Sequence, residues 1–103
     1  MLYLKAELAY FKRMLEDVSV TEGMPTTFTC QVSPDNAVVT WLLDGMEITP
    51  DKTRYNISED GDGRSLQVVW TKRADSGRVT CYVGELQTYA ELTVKGFLLA
   101  FFI

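Results

Sequence analysis

Histidine is absent from this 103-residue chain, and with it the side chain that most often moves protons in catalysis. No P-loop, no zinc-type cysteine spacing and no Gly-x-Ser-x-Gly turn is present, so phosphate cradles, structural metal sites and the usual nucleophile are also missing. The sequence therefore predicts no enzyme, no cofactor and no metal. Basic residues are few: ten Lys and Arg against fourteen Asp and Glu give a formal charge of −4, and Lys72-Arg73 is too short to form a basic face. Nucleic acid is not an expected partner. Residues 1–15 lack the layout of a secretory signal because Lys5 and Glu7 interrupt the apolar positions, and no apolar run approaches the roughly 20 residues of a membrane span. A soluble chain is expected. Only three prolines leave little room for a long linker, and a length of 103 residues suits one core.

What is present is alternation. Turn signals at Glu22-Gly23-Met24-Pro25, Ser33-Pro34-Asp35-Asn36, Asp44-Gly45, Thr49-Pro50-Asp51, Asp60-Gly61-Asp62-Gly63 and Asp75-Ser76-Gly77 separate short stretches of period two. Phe28, Cys30 and Val32 share one parity, as do Val39, Trp41 and Leu43; Leu66 and Val68; Val79, Cys81 and Val83; and Ala90, Leu92 and Val94. These are predicted to face inward. Thr27, Thr29, Gln31, Thr40, Thr80, Glu91 and Thr93 take the opposite parity, which predicts a solvated side on each sheet of an antiparallel sandwich. Cys30, Trp41 and Cys81 fit one such core, with the cysteines on facing sheets and the indole beside them.

With those motifs in hand the chain resembles the immunoglobulin superfamily, and within it the I-set type. The resemblance rests on Phe11, Leu15, Val18 and Val20 before Glu22-Gly23, then Phe28-Thr29-Cys30, Val39-Thr40-Trp41, Asp44-Gly45, Arg64-Ser65-Leu66, Asp75-Ser76-Gly77 and Cys81. The phrasing is most similar to domains of giant muscle proteins such as titin, obscurin and myosin-binding protein C. It implies an all-β, two-sheet Greek-key sandwich over residues 10–95, with Cys30, Trp41, Leu66, Asp75, Gly77, Val79 and Cys81 as the core signature. One position departs: where the family carries a tyrosine two residues before the second cysteine, this chain has Val79, which loses a hydroxyl bond worth about 1 kcal/mol and predicts a looser corner.

Two cysteines leave the compartment open. Oxidised, Cys30–Cys81 would close a loop of about 52 residues and stabilise by ~4 kcal/mol in the chain-entropy model; in the cytosol the same pair would pack as thiols. The muscle-like phrasing favours thiols and a cytoplasmic, sarcomeric or cytoskeletal setting; the sequon Asn56-Ile57-Ser58 points weakly outward, to an extracellular recognition module with an oxidised core. Glu59-Asp60-Gly61-Asp62-Gly63 gathers three carboxylates but lacks the closing bidentate glutamate of a calcium loop, and a hairpin turn explains it better. Asp75 reads as a turn residue bonding nearby backbone or a strand arginine.

For function, the resemblance implies a mechanical and scaffolding link. The segment near Leu15–Thr21 is expected to run parallel to the last strand near Tyr89–Lys95, so that Val18 and Val20 with Leu92 and Val94 carry load in shear. Leu42, Tyr82 and Tyr89 have outward parity and form a candidate partner-binding strip, and Trp70 is expected to cap the core edge. Expected partners are proteins: neighbouring immunoglobulin domains, or further copies through the apolar ends. Residues 1–9 are expected as an added strand and residues 96–103 as an assembly tail bearing Phe97, Leu98, Leu99, Phe101, Phe102 and Ile103, both outside the family pattern and read as natural or engineered additions.

Overall fold

The computed structural model describes residues 8–51 and 53–96. Of the expected added N-terminal strand, residues 1–7 lie outside the described residues and Leu8 and Ala9, which are described, are not in a strand; the expected tail from Phe97 to Ile103 also lies outside. Among the described residues nine strands follow one another: β1 Tyr10–Arg13, β2 Val18–Thr21, β3 Thr26–Ser33, β4 Val39–Leu43, β5 Met46–Glu47, β6 Tyr55–Asp60, β7 Gly63–Val68, β8 Gly77–Val83 and β9 Leu86–Lys95, with one 3₁₀ turn at Arg73–Asp75. They form two sheets, β1-β3-β7-β6 and β2-β9-β8-β4-β5. Every strand pair is antiparallel except β2 with β9, which is parallel.

The period-two pattern explains the core. Phe28, Cys30, Val32, Trp41, Leu66, Val68, Val79, Cys81, Val83, Ala90, Leu92 and Val94 are buried between the sheets, with Leu15 and Ile48 completing the layer. Turn chemistry closes the hairpins. Asp44 and Gly45 both have positive φ (49° and 80°), the requirement of the two-residue turn that joins β4 to β5. Gly61, at φ 59°, turns β6 into β7, so the acidic run is a hairpin tip: Asp62 pairs with Lys12 at 2.7 Å and Glu59 with Arg64 at 3.2 Å.

Two positions differ from the sequence expectation, and a third was not anticipated. Thr80 is buried although its parity faces outward, because β8 is an inner strand and Leu42 and Tyr89 stand opposite Thr80 on its two neighbours. Trp70 does not cap the core; it follows β7 with 43% of its surface exposed and lies against the Arg54 guanidinium, 4.2 Å from its ring centre. Arg64, a charged residue on the inward parity of β7, is only 2% exposed. Its guanidinium donates to the carbonyls of Gly61 and Gly63 and, across the sandwich end, to those of Asp35 and Ala37, at 2.6–2.9 Å. Those four acceptors substitute for water around a buried charge.

Candidate functional site: the sulfur core and the terminal strand pair

Cys30 on β3 and Cys81 on β8 face each other across the two sheets, both free, with their sulfurs in hydrogen-bond contact at 3.8 Å. That hydrogen bond and burial push the Cys81 thiol up, so it is held protonated at physiological pH. Trp41 stands directly opposite Cys81 in the β4–β8 ladder. Leu66 and Val79 close the same layer, both fully buried.

The corner before β8 is held by other groups than a tyrosine hydroxyl. Asp75, 6% exposed, accepts from the Lys72 backbone N–H at 2.9 Å and from Arg54 at 2.7 Å. Arg54 in turn spreads over the rings of Trp70 and Tyr55. The Ser76 hydroxyl accepts the Val94 N–H at 2.9 Å, and the Asp44 carboxylate accepts the Arg78 N–H at 2.9 Å. Gly77 is needed for this closeness, since a Cβ there would collide with the Asp44 carboxylate. Val79 fills core, and its neighbours supply the bonds.

At the opposite edge of the five-stranded sheet, Val18 pairs with Leu92, Ser19 with Thr93, Val20 with Val94 and Thr21 with Lys95. The attachment is longer than strand β2 itself. Leu15 N–H donates to Thr88 Oγ1 at 3.1 Å, Glu91 N–H donates to the Asp17 carboxylate at 2.8 Å, and Glu22 N–H donates to the Lys95 carbonyl at 2.7 Å. Sequence reasoning missed the two side-chain bonds, because neither Thr88 nor Asp17 breaks the pattern of its segment.

The ends of this pair lie toward opposite poles of the sandwich. Tyr10, where β1 begins, stands opposite Ser33, the last residue of β3, whereas Lys95 stands beside Thr21, near where β3 begins. An eight-residue strand separates those two poles, roughly 25 Å at strand rise. The chain therefore enters the β2–β9 pair at one pole and leaves it at the other.

The remaining surface candidates lie on the outer face of the same sheet. Tyr89 is 52% exposed, with the Arg78 guanidinium 4.2 Å from its ring centre and Arg78 also paired with Glu91 at 3.0 Å. Leu42 and Tyr82 are half-buried on neighbouring strands, so the three share a face without forming an open apolar strip. Asn56 is exposed on β6 and its amide bonds Gln67 at 3.0 Å. Among the described residues no group of three or more acidic, cysteine or histidine side chains is placed to hold a metal ion, and no helix is long and apolar enough to cross a membrane.

Two facing sheets, a sulfur pair with its tryptophan, and a parallel edge of β2 with the last strand define an immunoglobulin-type sandwich. The chain belongs to the I-set family: the family model "Immunoglobulin I-set domain" matches residues 9–94. It is 37% identical over 89 residues to titin of Drosophila melanogaster, covering 86% of this chain and a share of that protein that rounds to 0%. It is 34% identical over 95 residues to cardiac-type myosin-binding protein C of Mus musculus, covering 91% of this chain and 8% of that protein, and 35% identical over 85 residues to palladin of Rattus norvegicus, covering 80% and 14%. The chain thus spans a small fraction of each of these relatives. Among solved structures, domain I10 of titin matches with a TM-score of 0.81 and 29% identity, covering 86% of this chain and 100% of that one. A titin I9–I11 tandem matches with a TM-score of 0.82 and 25% identity, covering 86% of this chain and 34% of that one.

Proposed function

We propose that this domain is a non-enzymatic, load-bearing link in a muscle-type multidomain protein of the sarcomere or cytoskeleton, with protein partners and neighbouring immunoglobulin domains on either side. The observation that carries the reading is the parallel β2–β9 pair, entered and left at opposite poles. Tension between the ends pulls β2 toward one pole and β9 toward the other, along the strands. Every bond from Leu15–Thr88 to Glu22–Lys95 is then strained together, and the strands cannot separate rung by rung. Shared loading is what makes a small set of hydrogen bonds resist force. The similarity to domains of titin and myosin-binding protein C, each a small piece of a far longer chain, supports the same reading.

Single-molecule pulling of a tandem array tests it through two variants of matched chemical stability. Val20→Pro removes an N–H from the pair and should lower the unfolding force well below wild type. Val68→Ala opens a cavity in the other sheet, costs about 1–3 kcal/mol in denaturant, and should leave the force nearly unchanged. Equal loss of force in both variants contradicts the proposal, because stability and not the terminal pair would then set resistance.

A further inference from the structure

We propose that Ser76 is a phosphorylation site for a basophilic serine/threonine kinase, and that its modification loosens the final strand. It is the one serine or threonine in the chain with cations both three and four residues before it, Arg73 and Lys72. Kinases that select substrates by charge read such cations through carboxylates in the peptide cleft. Ser76 is exposed, follows the 3₁₀ turn with φ −56° and ψ 131°, and so already has the extended backbone in which an acceptor serine is presented.

Its hydroxyl also has a specific task in the fold. Strand β8 begins at Gly77, opposite Leu92, so the backbone ladder to β9 stops short of Val94. The Ser76 oxygen takes the place of the missing rung, accepting the Val94 N–H at 2.9 Å and lying 3.4 Å from the Val94 carbonyl. On its other side Val94 pairs with Val20. Phosphoryl transfer from Mg·ATP forms the Oγ–P bond and breaks the bond from the γ-phosphorus to the bridging oxygen; ADP leaves and the hydroxyl proton passes to the kinase base. A phosphorus atom does not fit between Oγ and the Val94 backbone at these distances, so the modified side chain must rotate away. The Arg73 side chain, which packs beside Gly96, gives the new dianion a partner outside the ladder. Val94 N–H is left without its acceptor.

The test combines incorporation with amide exchange on the folded domain. With Mg·ATP and a kinase that reads arginine three residues before its acceptor, phosphate should map to Ser76 by mass spectrometry, and Ser76→Ala should abolish it. Arg73→Ala should cut kcat/KM for incorporation at least tenfold while leaving Val94 exchange as in wild type. Phosphorylated protein and Ser76→Ala should both exchange the Val94 amide at least tenfold faster, with distant Leu66 unchanged. Failure of the folded domain to take phosphate where a peptide of residues 70–82 does so would overturn the site. Incorporation with unaltered Val94 exchange would overturn the switch, and incorporation indifferent to Arg73→Ala would overturn the mode of recognition.

Discussion

Gly77 shows how much of this fold is decided by one atom. Its hydrogen faces the Asp44 carboxylate, which is itself committed to the Arg78 N–H and sits at positive φ in the β4–β5 turn. Gly77→Ala should therefore cost ~2 kcal/mol or more in denaturant unfolding, because backbone on both sides fixes the two groups. In an Asp44→Gly background the same substitution should cost less than about 1 kcal/mol, a coupling that a double-mutant cycle reads directly. Equal costs in both backgrounds would refute the collision. Period two placed Cys30, Trp41, Leu66 and Cys81 inside from sequence alone, because a side chain's parity in a strand is local information. Arg64 was not legible in that way. A charge on an inward parity looks like an error until four carbonyls from two loops arrive around it, and those loops are set by tertiary structure. Trp70 failed for the converse reason: its hydrophobicity argued for the core, but its partner is the Arg54 guanidinium at the surface.

The element that matters most is the stretch from Leu15 to Glu22. Only Val18–Thr21 is strand, yet Leu15 and Asp17 extend its hold on β9 through Thr88 and the Glu91 backbone. Thr88→Val keeps shape and burial and removes the acceptor. It should cost about 1–3 kcal/mol, the penalty of a buried N–H left unpaired, and should speed exchange of the Leu15 amide while sparing the ladder at Val20. Unaltered Leu15 exchange would show that the bond contributes nothing. The pairing of Val18 and Val20 with Leu92 and Val94 was readable from the family resemblance. Thr80 was not, since burial of an outward residue depends on which strands flank it, and strand order is a property of the assembled sheet. The corner before β8 illustrates the same division: loss of the tyrosine at Val79 is visible in the sequence, whereas the bonds from Ser76, Asp44 and Arg54 become visible only once the turns are folded.

At the scale of the whole molecule, the sandwich acts as a body with two poles. Two sheets pack around a buried thiol pair, Arg64 ties the β3–β4 loop to them at one end, and β2 meets the last strand, β9, on one edge. The domain matches a small fraction of each of these long relatives, which is the setting that the proposed load-bearing role requires. The direction of loading is thus the central variable. Pulling the domain between Leu8 and Gly96 shears the β2–β9 pair, whereas pulling between Gly23 and Gly96, at the same end of the pair, peels it from one side. A single-molecule comparison of these two attachments on otherwise identical protein should give an unfolding force several-fold higher for the first than for the second; equal forces would contradict the account.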